Sequence, residues 1–249
     1  MQMGIRFFSR PVLLGSLWLL VVAALGGTML SVSWKPPTPW SSLPPVVGVI
    51  DPNTPPETVF RSLCANCHGT KGEGNPAFKA PSIAGLPDWF ILLQIGKFRS
   101  GWRGGGGDDA PGAQMRAIAL ALPDAVIPGV AGLVQALEPV PTVNTLGGDP
   151  ELGKERFSEQ CAACHRYNAH GEKFFQSAPL SSLPDWYLAD QLHKFRIGSR
   201  GYHGGDVEGN KMRTVMEGVD PKEIEGLVAF IAELSRTYPP AAARWRTGQ

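Results

Sequence analysis

Two pentapeptides carry the chemistry of this chain: Cys64-Ala65-Asn66-Cys67-His68 and Cys161-Ala162-Ala163-Cys164-His165. Each reads C-x-x-C-H, the attachment spacing for a c-type haem. One helical turn sets both sulfurs along a porphyrin edge, where they add to the vinyl groups, and holds the adjacent histidine beneath the iron. Three plainer readings compete. A redox dithiol belongs in an alternating αβ pattern, which this sequence lacks. A zinc site is poorly served by a histidine directly after the second cysteine. Structural disulfides would ignore both histidines. The two motifs consume all four cysteines of the chain, and haem attachment accounts for cysteines and histidines together.

An iron held by one imidazole needs a sixth ligand or keeps an open position. Met115 and Met212 are the matched candidates, each 47 residues beyond its motif histidine and each followed by arginine. A thioether is soft and neutral, favours Fe(II), and exchanges no proton on redox cycling. The bland alternative is a core methionine filling a gap. Met216 is a rival in the second half, but its counterpart is Ala119. His170, His193 and His203 align with Glu73, Gly96 and Gly106, so no further histidine recurs, and ordinary loop hydrogen bonding explains them.

Lesser candidates surround these. Pro81 and Pro179, in Ala-Pro steps, bring a carbonyl that would accept the ligand histidine's ring N–H, or they mark simple turns. Arg99, Arg103, Arg196 and Arg200 are candidates to pair with haem propionates, with solvated helix ends as the alternative. Trp89 and Trp186 read as core aromatics. The glycine run 104–107 lacks the Gly-Lys-Ser/Thr of a phosphate loop and reads as a flexible segment.

The elements that position these residues occur twice. Cys64 and Cys161, His68 and His165, Trp89 and Trp186, Phe98 and Phe195, Gly101 and Gly198, Arg103 and Arg200, and Met115 and Met212 are all 97 residues apart. An offset held across seven residue types is duplication. Two domains follow, residues 53–140 and 149–240, joined by a short Pro/Gly-containing linker. In each, a first helix ends in the haem motif. Thr54-Pro55-Pro56-Glu57 reads as a capping-box start, and Asp149-Pro150 as its equivalent. A middle helix follows at 88–99 and 185–196, stopped by Gly101 and Gly198. A Gly-rich loop then leads to the methionine just before a last helix. That helix is clearest at 221–238, where Ile224, Leu227, Val228, Ile231 and Leu234 share a face. Its counterpart at 123–137 contains Pro128 and Gly129 and is expected to be shorter or to start later. No strand pattern is present, so the fold class is all-α.

Composition agrees. The 249 residues suffice for two small domains, and a formal net charge of +1 gives no reason to expect nucleic acid. Gly and Pro, 30 and 23 in number, imply long loops. Before the domains, Arg6 and Arg10 precede an uncharged apolar run at 12–34. As a helix it would reach about 34 Å, enough for a bilayer core of about 30 Å. Residues 1–34 are therefore expected to be one transmembrane anchor, although Val22-Ala23-Ala24 would also suit a cleaved signal peptide. In either case the positive end stays cytoplasmic and the remainder is exported. The proline-dense stretch that follows, 35–52, is an extended spacer.

The tandem C-A-N-C-H-G and C-A-A-C-H motifs, the run Asp-Trp-Tyr-Leu-Ala-Asp-Gln-Leu-His-Lys-Phe-Arg-Ile-Gly-Ser-Arg-Gly at 185–201, and a methionine before a closing helix resemble the two-haem cytochrome c4 family over residues 53–240. The resemblance implies two packed all-α cytochrome c folds with two covalent haem c groups. Cys64, Cys67, Cys161 and Cys164 would carry the thioethers, and His68, Met115, His165 and Met212 would ligate iron. It further implies electron transfer from a quinol-oxidising complex or dehydrogenase to a terminal oxidase or another cytochrome. The expected location is the inner membrane, single-pass, with the haem domains in the periplasm. The alternatives are a dihaem subunit of a larger oxidase or dehydrogenase complex, and a dihaem peroxidase. Gly153 stands where that family's first helix crosses its last, whereas the first repeat has Pro56, and Leu133 replaces the aromatic Phe230. The crossing in the first domain is therefore expected to differ.

Overall fold

The computed structural model describes residues 50–240, which fall within one compact unit, residues 47–249. The expected membrane-spanning run at 12–34 lies outside the described residues. Among those described, no single helix is long and apolar enough to cross a bilayer.

Each repeat builds the same series of helices. The first comprises α1 (Pro56–Val59), a π-helical turn Phe60–Cys64, α2 (Ala65–His68), α3 (Asp88–Arg99), α4 (Ala110–Ala121) and α5 (Ile127–Ala136). The second comprises α6 (Pro150–Arg156), a π-helical turn Phe157–Cys161, α7 (Ala162–His165), α8 (Asp185–Arg196), α9 (Val207–Glu217) and α10 (Pro221–Thr237). No strand forms among the described residues. Isolated bridges, Asn75 with Ala80 and Glu172 with Ser177, close the loops after the haem motifs.

Helix starts and stops follow from local chemistry. Asp149 caps α6 by accepting from the Glu151 N–H at 3.0 Å. The capping box expected at Thr54 does not form: the N-cap is Pro55 and no side chain caps α1. Consecutive prolines carry no N–H, so much of what a cap would satisfy is missing. Gly101 and Gly198, at φ +73° and +77°, follow the ends of α3 and α8 as left-handed terminators. The proline of α5 sits in its first turn, and a 3-10 turn at Asp124–Val126 precedes it. That makes α5 ten residues long against seventeen for α10.

Two expectations are corrected. The Gly-rich loop stops short of the methionines: Met115 is inside α4 and Met212 inside α9, an extra helix before the last in each domain. Pro111 and Gly112 look like helix breakers, yet they occupy the first turn of α4, where a missing N–H or side chain costs little. The glycine run is not a loose segment throughout. Gly104 has φ +66°, and a Cβ there would lie 2.1 Å from the Gly112 carbonyl oxygen. It fits the chain closely against the start of α4.

The terminal helices cross in both domains. In the second, a Cβ on Gly153 would lie 2.2 Å from the Gly226 carbonyl oxygen, so α6 and α10 touch backbone to backbone. In the first, the glycine sits on the other partner: a Cβ on Gly129 would meet the Pro56 ring at 2.5 Å. The crossing survives with its small residue moved from the first helix to the last. Phe157 packs edge-on against Phe230 with ring centres 5.5 Å apart, while Leu133, at the equivalent position, packs against the first core, which includes Phe60.

Candidate haem-attachment sites

Each motif histidine is turned by a backbone carbonyl. His68 Nδ1 is 2.8 Å from the Pro81 oxygen, and His165 Nδ1 is 2.9 Å from the Ala178 oxygen. A carbonyl only accepts, so Nδ1 carries the proton and Nε2 keeps its lone pair. The second acceptor is Ala178 and not Pro179, because the 97-residue offset applies to the carbonyl rather than to the Ala-Pro step. Burial, partly opposed by that hydrogen bond, pushes both imidazoles below their ordinary pKa of 6.5, towards the neutral form that can bind a metal.

The first cysteine of each motif is not poised as a redox nucleophile. All four thiols are free. Burial, then Cys67, pushes Cys64 up to about 11, and burial also pushes Cys161 up to about 11 despite the nearby Arg156. A reactive dithiol needs the opposite shift. Among the described residues, no three His, Cys, Asp or Glu side chains gather where they could hold a metal ion. Cys64 packs against the apolar core of the first repeat, and Cys161 lines an apolar cavity in the second. Into the first cysteine of each motif the helix widens as a π-helical turn, a distortion often found at functional sites and one that the spacing did not announce.

The methionines come to the same sites. In the second repeat Phe157, Cys161, His165, Leu192, Met212 and Met216 line one apolar cavity. Met216 is therefore present too, but it is 1 % exposed and belongs to the core one turn further along α9. In the first repeat Leu63, Cys64 and Met115 pack against Phe60, Ile95, Phe98 and Val130. Of the remaining histidines, His170 is 2.9 Å from the Tyr238 carbonyl, and His203 stacks on Trp102 with ring centres 5.7 Å apart.

The arginines divide into two kinds. Arg99 donates to the Ala119 carbonyl at 2.8 Å, and also to the Leu122 carbonyl and Asp124. Arg196 donates to the Val219 carbonyl at 2.9 Å. Those two tie α3 and α8 to helix ends and are not aimed at a prosthetic group. Arg103 and Arg200 instead enter a seam between the domains. Arg103 donates to Gln94 of its own domain at 2.7 Å and to Tyr187 of the other at 2.9 Å. Arg200 donates to Gln191 at 2.7 Å and across to Gln94 at 3.4 Å.

Sequence reasoning missed the charges that complete this seam. Lys97 pairs with Asp206 at 2.6 Å, and Lys194 with Asp109 at 2.9 Å. Lys97 and Lys194 are 97 residues apart, as are Asp109 and Asp206. The pairs are thus reciprocal across a pseudo-twofold axis, as in an isologous dimer. The signal was available: these charges recur at the repeat offset without belonging to a haem motif. Lys194 also pairs with Asp190 at 2.6 Å, where the first repeat has Leu93. Burial alone would lower the Lys194 pKa, but its two carboxylates outweigh that and raise it. Lys97 has one carboxylate and faces Arg200 and Arg103, so burial prevails and its pKa falls. Apolar contact continues the seam, since Leu86 and Phe90 of the first domain belong to the core cluster of the second.

Comparison with known proteins places the chain. The cytochrome c family model matches residues 57–128 and again 150–235. The thiosulfate dehydrogenase electron acceptor of Thiomonas intermedia (strain K12) is 27% identical over 225 residues, which cover 86% of this chain and 89% of that protein. The cbb3-type cytochrome c oxidase subunit FixP of Bradyrhizobium sp. (strain ORS 278) is 30% identical over 72% of this chain but only 59% of its own length. Reduced recombinant cytochrome c4 from Pseudomonas stutzeri superposes with a TM-score of 0.55 at 25% identity, covering 73% of this chain and 97% of that one.

Proposed function

Because this chain belongs to the cytochrome c family, as a tandem of two class I domains, we propose that it is a membrane-anchored dihaem electron carrier with two His/Met haem c sites. One observation carries the reading: the same arrangement is built twice, 97 residues apart, with a carbonyl-held histidine in each copy and a half-buried cysteine and a methionine against one apolar core.

The residues fit the group. When bound, haem c supplies a one-electron Fe(III)/Fe(II) couple. Cys64 and Cys67 in one domain, and Cys161 and Cys164 in the other, would hold it covalently. His68 and His165 present Nε2, with ring orientation and tautomer set by the Pro81 and Ala178 carbonyls. Met115 and Met212 would complete each coordination sphere with a sulfur that takes up no proton. The apolar walls exclude water. Between the domains, Lys97, Lys194, Arg103 and Arg200 face three carboxylates, the buried Asp109 and Asp206 and the partly exposed Asp190. Arg103 Nε is buried without an acceptor. Unbalanced cations in a low-dielectric seam call for anions, and propionates directed to this seam would meet Arg103 and Arg200.

The run at 12–34, preceded by Arg6 and Arg10, supports a single-pass inner-membrane anchor with the haem domains in the periplasm. A dehydrogenase is the favoured donor class, because the match to a thiosulfate dehydrogenase electron acceptor extends over most of both chains. A quinol-oxidising complex is the other candidate donor, and a terminal oxidase or another cytochrome the acceptor. Membership of a larger oxidase complex is the second reading, favoured by the 30% identity to FixP. Potentiometric titration of the purified full chain tests the carrier reading. It predicts two one-electron steps per chain, reoxidation by oxidase-containing membranes, and no peroxide turnover. A high-spin ferric resting spectrum with peroxide reduction would establish the peroxidase instead.

A further inference from the structure

We propose that each domain seats the methionine of the other: Lys97 positions Met212, and Lys194 positions Met115. The proposal rests on the His/Met reading above and extends it to residues outside the C-x-x-C-H motifs and the methionine ligands.

The chain of contacts is short. Asp206 is the N-cap of α9, accepting from the Gly209 N–H at 3.0 Å, and Met212 lies on that helix. Asp109 does the same for α4, accepting from Gly112 N–H at 3.0 Å, with Met115 beyond it. Each methionine is six residues from its cap, about 9 Å along the axis. The caps grip the first turn closely. A Cβ on Gly112 or Gly209 would lie 2.0 or 2.1 Å from the capping carboxylate, which would have to turn to admit it. Where the carboxylate goes, the helix start follows.

Both capping carboxylates are buried, Asp109 at 7 % and Asp206 at 2 % exposure. A helix N-terminus favours a negative charge, but burying one is costly without a counterion. The counterion comes from the opposite domain in both cases, at 2.6 Å from Lys97 and 2.9 Å from Lys194. Without its lysine, Asp206 regains hydration by drawing the start of α9 outward, and Met212 moves with it. The Lys97 variant therefore loosens the methionine of the second domain and leaves that of its own domain in place. A purely structural lysine would disturb its own domain, or both.

The test uses the holoprotein in its full-length form. Hyperfine-shifted methyl resonances of the two ligand methionines are assigned with Met115→Leu and Met212→Leu, and ferric protein is titrated with imidazole, which competes with the sulfur. Lys97→Met is expected to let imidazole displace Met212 at about tenfold lower concentration, because a buried carboxylate has lost its partner. Met115 is expected to be unchanged. Lys194→Met gives the mirror result, and Lys97→Arg, which keeps the charge, restores Met212. If Lys97→Met folds poorly, Lys97→Met with Asp206→Asn removes both charges while keeping a capping side chain, and Met212 is expected to recover. Equal effects on both methionines, an effect on Met115 alone, or no effect would overturn the proposal with the His/Met reading intact. Wild-type protein lacking both methyl signals would overturn the His/Met reading, and the proposal with it.

Discussion

Arg166 shows how one residue can be out of step with its repeat. It follows the second motif histidine at φ 66°, ψ 159°, backbone angles that only glycine adopts freely, whereas the first repeat has Gly69 there at φ 83°. Such a conformation costs about 1–3 kcal/mol in a residue with a Cβ. The ion pair of Arg166 with Glu172 is half-exposed and offsets less than about 1 kcal/mol. Glycine would also enlarge the unfolded ensemble, a loss of about 0.4–1 kcal/mol. Strain relief outweighs both. Arg166→Gly is expected to stabilise the full chain by about 1 kcal/mol, raising its thermal midpoint by a few degrees. A lowered midpoint in reversible thermal unfolding would show that the Glu172 pair outweighs the strain.

At the scale of the element, legibility depended on what leaves a mark in residue order. α3 and α8 were readable because an aspartate opens each and a glycine closes each. The helices that end in the two motifs were readable from the C-x-x-C-H spacing itself. The methionine helices were not, because Pro111, Gly112 and Gly209 look like loop residues until their place in the first turn is known. The first-domain crossing differs as Pro56 led one to expect, but the residue that takes over the small-residue role, Gly129, reads in residue order as a helix breaker. Geometry ranks the second-domain glycines. A Cβ on Gly153 would lie 2.2 Å from a backbone oxygen, whereas one on Gly226 finds its nearest neighbours at 3.0 Å. Gly153→Ala is therefore expected to destabilise by about 3 kcal/mol, near the upper end for overpacking, and Gly226→Ala by about 1 kcal/mol. Chemical denaturation of both variants checks the order; equal losses would mean that α6 and α10 slide freely.

At the scale of the molecule, duplication has produced two reciprocal domains joined by a charged seam. Partners there lie as far apart in sequence as Lys97 and Asp206, so no local pattern pairs them; only the repeat offset links each to its counterpart. The linker is anchored as well. Thr142 donates from its N–H to Ser235 and Ser181, and from Oγ1 to the Leu180 and Leu183 carbonyls. Asp185 receives Thr145 and Leu146. These contacts fix the linker to the second domain and leave the seam as the principal polar contact between the two halves. The seam matters only if both cradles hold haem through His and Met. Haem quantitation combined with the near-infrared sulfur-to-iron band of the ferric full chain tests that most directly. The prediction is two haems per chain that stay with the polypeptide in acidified organic solvent, and a band halved by either Met115→Ala or Met212→Ala and lost when both are changed. Pigment released into the solvent, or a band that survives both substitutions, would contradict it.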